Sequence, residues 1–396
     1  MTFSEKIDEW IKEAETRPGS ALMILKLIAG RMRDLSERNE ELASENITLQ
    51  DGSRVKEYQE RIAYLEFQLE LLKRRFGAEE VGSTARQPVA DTLSLLIYSA
   101  QGRILRMPVN ESELPATPNL GYLRNYFEPG GEPPRLLAVP STEEVLLLFS
   151  SGRVGTYRVA DVPVLPSGSQ LDLGQATIPD APHAGEKLVC LMPLSHLPVS
   201  DFFLQASRRG SVKKTLHTIF EKVLSTHYLG RGAVQKNDQA FLVMLAEKKA
   251  RLALVTYEGH ILYLEADGLA FSAEERIHME LTDRIIAAFV PGANDWVVCL
   301  TQNGKILQRE SASFEIAKAP GSRGQPLIPP SRLEQGTRFV GATACQAVDW
   351  LLTLDGQGKL SAWLLKDACG AGALRTESEF ISIGLIPSLN RQGAKA

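Results

Sequence analysis

The stretch Asp295-Trp296-Val297-Val298-Cys299-Leu300-Thr301-Gln302-Asn303-Gly304-Lys305-Ile306 reads as strand, tight turn, strand. An apolar, β-favouring run breaks at polar residues and a glycine, then resumes two positions later with an aliphatic side chain. Glycine supplies the positive φ that a hairpin turn needs, and the aliphatic residue restarts the strand. The same wording returns in Asp349-Trp350-Leu351-Leu352-Thr353-Leu354-Asp355-Gly356-Gln357-Gly358-Lys359-Leu360. Moving towards the N-terminus it recurs from Leu252 to Ile261, from Asp201 to Lys214, from Leu146 to Arg158 and from Leu95 to Arg106. The turn glycines Gly102, Gly152, Gly210, Gly259, Gly304 and Gly358 fall at roughly fifty-residue intervals, the period of propeller blades with about four strands each. Further apolar segments precede the hairpins, at Leu136–Val139, Leu188–Met192, Phe241–Leu245, Ile285–Val290 and Phe339–Thr343, and supply another strand per unit. Trp296 and Trp350 occupy equivalent positions and are expected in the core. The alternative arrangement is a generic β-sandwich with coincidental hairpins.

Ahead of the repeats the chain has a different grammar. Between Ser4 and Phe76 there is a single proline, Pro18, and the first helix is expected to end at Pro18-Gly19. A second helix is expected to begin near Ser20. Met32, Leu35, Asn39, Leu42, Asn46 and Leu49 step by alternating three and four residues, which places Asn39 and Asn46 at a if the leucines are d. Asn at a favours a parallel two-stranded coil, in which each amide is paired across the interface. Val55, Tyr58, Ile62, Leu65, Leu69, Leu72 and Phe76 keep the alternation in a register displaced by two, with Asp51-Gly52-Ser53 at the discontinuity. A dimeric, interrupted coiled coil and an intramolecular helical hairpin both satisfy this pattern. The small, polar stretch after Phe76 reads as a linker.

The sequence-based organisation is therefore a helical, coiled-coil oligomerisation segment over 1–77, a linker over 78–90, a six-bladed β-propeller over 91–375 and a C-terminal tail over 376–396. The fold class is mainly β, preceded by the α-helical segment.

Composition narrows the functions. Hydrophobic residues at 44% and charged residues at 23% describe an ordinary globular chain rather than a disordered one. A net charge of −4 means that any nucleic-acid surface must be a local patch, because phosphate contacts call for clustered cations. Cys190, Cys299, Cys345 and Cys369 are scattered without a CxxC pair, which argues against zinc and a disulfide framework. The six histidines are dispersed, and HExxH, GxSxG and GxxxxGK[ST] do not occur, so neither an enzyme nor a metal or other cofactor is expected. The longest apolar run in the N-terminal part, Ala21–Ala29, is interrupted by Lys26 and too short to span a bilayer, so a cytoplasmic protein without a membrane partner is expected.

Three of the units carry a more specific signature. Gly102-Arg103-Ile104-Leu105-Arg106-Met107-Pro108-Val109, Arg209-Gly210-Ser211-Val212-Lys213-Lys214-Thr215 and Thr301-Gln302-Asn303-Gly304-Lys305-Ile306-Leu307-Gln308-Arg309 resemble the blades of the C-terminal β-pinwheel of gyrase and topoisomerase IV A subunits. The resemblance covers about residues 91–370, and the N-terminal heptads stand where that family has its cleavage machinery. It implies a pinwheel that binds and bends duplex DNA on a basic rim. By position, the rim residues would be Arg103, Arg106, Arg153, Arg158, Arg208, Arg209, Lys213, Lys214, Lys305 and Arg309. The dimerisation residues would be Leu35, Asn39, Leu42, Asn46, Leu49, Ile62, Leu65, Leu69 and Leu72. The glycine- and arginine-rich box used by gyrase for wrapping is absent. Two functions follow from the sequence: a coiled-coil dimer that binds or bends duplex DNA without reading sequence, and a scaffold whose propeller surface holds other proteins.

Overall fold

A computed structural model describes residues 92–388 apart from 111–113, 115–118, 126–130, 165–169, 174–180, 230–232, 236–237 and 318, together with helical positions 26, 28–30, 32 and 33. The chain divides into two compact units, Met1–Gln87 and Pro88–Ala396. In the first, the described positions are helical, while the expected helix start near Ser20 and the heptad residues from Leu35 to Leu72 lie outside the described residues.

In the second unit, six hairpins follow one another. The first is β1 (Leu93–Tyr98) and β2 (Ile104–Val109), followed by β3 (Asn119–Arg124) and β4 (Arg135–Pro140). The second is β5 (Glu144–Phe149) and β6 (Val154–Arg158), followed by β7 (Gln170–Asp172) and β8 (Leu188–Pro193). Next come β9 (Phe202–Ser207), β10 (Ser211–Leu216), helix α1 (His217–Thr226), β11 (Ala233–Gln235) and β12 (Asp238–Ala246). The fourth set is β13 (Arg251–Thr256), β14 (His260–Glu265), β15 (Glu274–Glu275) and β16 (Ile285–Phe289). The fifth is β17 (Trp296–Thr301), β18 (Ile306–Glu310), β19 (Gln325–Pro326), α2 (Pro330–Glu334) and β20 (Phe339–Cys345). The last is β21 (Trp350–Asp355), β22 (Lys359–Leu364), α3 (Leu365–Ala371) and β23 (Phe380–Ile386).

These strands form six small sheets. The six turn glycines all have positive φ, between 77° and 89°. At Gly304 there is a second constraint: a Cβ would lie 2.3 Å from the Leu374 carbonyl oxygen, so the turn accepts the neighbouring chain only without a side chain.

Each later apolar segment pairs with the first strand of the hairpin before it: β4 with β1, β8 with β5, β12 with β9, β16 with β13, β20 with β17 and β23 with β21. This corrects the expectation that these segments open the unit that follows. It also corrects the C-terminal boundary, since Phe380–Ile386, within the stretch expected as a tail, is the third strand of the sixth sheet. The reason is topological. A long connection lets the chain return to the free edge of the hairpin's first strand, and nothing local marks which hairpin it joins. In five of the six sheets this pairing shifts register at the start of the third strand, a bulge that only the β1–β4 pair lacks.

The outer strand of each hairpin is met by the connection of the next unit. Arg106 N donates to Pro163 O at 3.1 Å, Val154 N to His227 O at 3.0 Å and Ile306 N to Gly372 O at 3.3 Å. β15 pairs with β10 and β19 pairs with β14. The series closes on itself, because β3 of the first unit pairs with β22 of the last.

Six apolar clusters fill the spaces between consecutive sheets. Leu96, Tyr98, Leu147 and Phe149 join sheets 1 and 2, and Leu146, Cys190, Phe203 and Val243 join sheets 2 and 3. Leu204 and Leu254, Tyr263 and Phe339, and Val298 and Leu351 mark the next three clusters. Leu95, Ile97, Leu352 and Leu354 join the last sheet to the first. Alternate residues of β1 thus serve two neighbouring clusters, which is why the strand is buried along its whole length and reads as a continuous apolar run. Burial of one such leucine stabilises the fold by about 1.5–3 kcal/mol. Trp350 is buried and Trp296 packs half-buried against the cluster between sheets 5 and 6, as their equivalent positions lead one to expect.

Candidate nucleic-acid interface

Every third strand starts beside the turn of its own hairpin: Arg135 opposite Tyr98, Leu188 opposite Phe149, Ile285 opposite Thr256, Phe339 opposite Thr301. The turn of one sheet also grips the third strand of the next. Leu188 N donates to Ala100 O at 2.7 Å, Ile285 N to Arg208 O at 2.9 Å, Phe339 N to Tyr257 O at 3.0 Å and Phe380 N to Gln302 O at 2.9 Å. Turns and third-strand starts therefore share one end of the sheets, and basic side chains gather there.

The ten rim candidates fall into two groups. Arg158 and Arg309 are exposed on outer strands, and Arg103, Lys213 and Lys305 are half-buried. Burial pulls the Lys213 ammonium below the usual lysine range. The others are held by the fold. Lys214 is buried, with Nζ donating to the Asp267 carbonyl at 2.5 Å and lying 4.5 Å and 4.9 Å from the ring centres of Phe202 and Phe271. Arg209 donates to the carbonyls of Asp283 at 2.9 Å and Leu281 at 3.4 Å. Arg106 is half-buried with no hydrogen-bond partner for Nε, and burial lowers its pKa.

Arg153 has the most partners. Its guanidinium lies 3.7 Å over Phe149, donates to Glu186 Oε2 at 2.9 Å and to Ala181 O at 3.1 Å. Glu186 also accepts from the Ser151 hydroxyl and from the His183 amide. Burial alone would raise the Glu186 carboxyl. The bonds from Arg153, Ser151 and His183 outweigh it and hold the group down at about 2.

Arg208 leads to a second cluster that the rim argument misses. Its guanidinium lies 4.1 Å over Phe241 and bonds Glu132 at 2.5 Å. Arg135, at the start of β4, lies 4.2 Å over the same ring, donates to Phe241 O at 3.1 Å and is 3.6 Å from the same carboxylate. Next to Arg208, Arg284 lies 4.2 Å over Tyr257, and Arg338 lies 6.0 Å over that ring. Arg284 and Arg338 immediately precede β16 and β20, as Lys187 precedes β8. The signal was present in the sequence as a cation directly before two apolar residues: Arg135-Leu136-Leu137, Lys187-Leu188-Val189, Arg284-Ile285-Ile286 and Arg338-Phe339-Val340. It has no meaning until the third strands are known to start at one end.

The thiols are not part of a site. All four cysteines are free, and burial pushes Cys190 up to about 11 and Cys299 up to about 12, which leaves them protonated and unreactive. Among the described residues no helix is long and apolar enough to cross a membrane, and no group of three or more His, Cys, Asp and Glu could hold a metal ion.

No protein-family model matches the chain, and no curated protein sequence matches it. Among solved structures, the DNA gyrase A C-terminal domain is similar over 74% of this chain and 99% of that one, with 12% identity and a TM-score of 0.55. The C-terminal domain of DNA topoisomerase IV aligns over 76% of this chain and 94% of that chain at 17% identity, with a TM-score of 0.46. The E. coli ParC C-terminal domain aligns over 75% of this chain and 100% of that chain at 11% identity, with a TM-score of 0.34. The hairpin, returning third strand and exchanged outer partner, repeated through six small sheets, give this β unit the β-pinwheel fold of the gyrase A C-terminal domain.

Proposed function

We propose that this is a non-catalytic, cytoplasmic, DNA-associated protein in which an N-terminal coiled-coil dimer presents six-bladed β-pinwheels that bind or bend duplex DNA without reading its sequence. The observation that carries the reading is the pinwheel fold joined to basic side chains at and after the hairpin turns. Cations along a curved surface follow a phosphate backbone and lower the cost of bending it. At the turns, Arg103, Lys213 and Lys305 keep part of their surface exposed.

The test is binding of the full chain to a labelled random-sequence duplex across a salt series. Log affinity is expected to fall with log salt with a slope of several units, about 0.9 per phosphate neutralised. Absence of binding at low salt overturns the reading. Sedimentation of the same preparation is expected to give a dimer that involves Leu35, Asn39, Leu42, Asn46, Leu49, Ile62, Leu65, Leu69 and Leu72; a monomer would remove the coiled-coil component.

A second reading, a scaffold whose propeller surface holds proteins, is favoured by a specific observation. Arg153, Arg208, Arg209 and Lys214 are each committed to a carboxylate or carbonyl of the protein itself. Under this reading the exposed cations are solvated turn positions, and the salt series shows no DNA binding.

A further inference from the structure

We infer that the arginines gathered where the hairpin turns meet the third-strand starts, rather than those on the outer strands, form the main phosphate-contacting surface, with Arg284 and Arg338 as successive contacts for a nucleic-acid backbone and Arg135 and Arg208 as the end of the row that Glu132 holds. This rests on the DNA reading above and locates the site within it. Three features carry it. The first is continuity: Arg135 and Arg208 share the Phe241 ring, Arg208 accepts the amide of Ile285 beside Arg284, and Arg284 and Arg338 share the Tyr257 ring. The row runs from the first sheet through the third and fourth to the fifth.

The second feature is the form of the contact. A guanidinium lying over an aromatic face has its planar fork pre-organised and its in-plane N–H groups free to meet oxygen acceptors, the geometry suited to phosphate. Arg284 is exposed and, among the described residues, makes no ion pair. Arg338 spends Nη1 on the carbonyls of Leu333 and Thr337 and, among the described residues, makes no ion pair.

The third is the charge balance. Among the described residues, one carboxylate, Glu132, bonds the row, and it does so at one end through Arg208 and Arg135. Asp283, the buried acid next to Arg284, accepts the amides of Glu258 and Arg284, and Glu258 accepts the hydroxyl of Thr282. Four arginines, Arg135, Arg208, Arg284 and Arg338, thus stand against the three carboxylates Glu132, Asp283 and Glu258, and neither Asp283 nor Glu258 spends its bonds on a guanidinium, in contrast to Glu186, which is buried with Arg153.

The experiment is the duplex salt series repeated on three variants of the full chain, with a thermal melt of each to verify folding. Arg284→Ala is expected to reduce the salt slope by about one and to weaken binding equally across unrelated sequences. Glu132→Gln is expected to act in the opposite direction, with tighter binding and a steeper slope, because Arg135 and Arg208 gain phosphate in place of the lost carboxylate. A role confined to folding would not strengthen binding. The double variant Arg158→Ala/Arg309→Ala, on the outer strands, is expected to leave the slope within half a unit of the parent. If the parent binds and only the outer-strand variant loses slope, this location is wrong while the DNA reading stands. If the parent does not bind, both fail together.

Discussion

Arg153 beside the second turn and Arg284 beside the fourth both lie flat on an aromatic ring, 3.7 Å over Phe149 and 4.2 Å over Tyr257. They differ in what meets the edge of the guanidinium. At the second turn the connection before β8 brings in Glu186, whose side chain is 5% exposed, and the Ala181 carbonyl. At the fourth turn the nearby carboxylate of Asp283 faces backbone amides instead. Stacking on an aromatic ring is thus common to a structural arginine and an available one. The partner at the N–H edge decides which it is, because a buried carboxylate that is already bonded cannot be displaced without desolvation cost.

The closing of turns by a connecting segment can be broken most severely at Gly304. Gly304→Ala puts a side chain at φ 81° and a Cβ 2.3 Å from the Leu374 carbonyl oxygen, and a loss of about 3–4 kcal/mol is expected in chemical denaturation. Gly336→Ala, at φ 82° with nothing within 4 Å, carries only the conformational part, about 1 kcal/mol. Equal losses at the two sites would show that the approach of the neighbouring segment is not what constrains the turn.

Glu186→Gln strikes the second turn directly and is expected to cost about 2–3 kcal/mol, since Arg153 is left partly buried without its charge partner. The pH dependence has a definite sign. The folded carboxyl sits at about 2, below its ordinary value of 4.5, so its stabilisation is complete above pH 4.5 and is lost as pH falls towards 2. Urea midpoints between pH 5 and 2 are expected to converge for the parent and Glu186→Gln. Parallel curves would remove Glu186 from the acid response.

At the fourth turn the effect on stability is the smallest. Arg284→Ala forfeits one exposed cation–π contact, about 0.5–1 kcal/mol, whereas Arg153→Ala is expected to cost about 2 kcal/mol because it also strands Glu186. A stability loss at Arg284 as large as that at Arg153 would contradict the distinction between the two turns.

The hairpins were legible residue by residue. A positive φ at a turn and alternate burial on a strand are local properties, so all six turn glycines and the apolar runs around them could be placed from their spacing alone. The equivalence of Trp296 and Trp350 followed from the same repetition. The partner of each returning strand was not legible, because a strand edge accepts any extended backbone and the chain carries no mark of which edge it will reach. That one ambiguity shifted the third strands by a unit and turned Phe380–Ile386 into an expected tail. The site suffered for the same reason. Sequence could count the cations near each turn, yet whether Arg208 meets Glu132, Lys214 meets Asp267 or Arg284 meets solvent depends on segments as much as 76 residues away in the chain. Local chemistry decided where the chain turns. Only the packing of distant segments decided which charges are spent inside the fold and which remain for a partner, since an ion pair is set by distance in space and not by distance along the backbone.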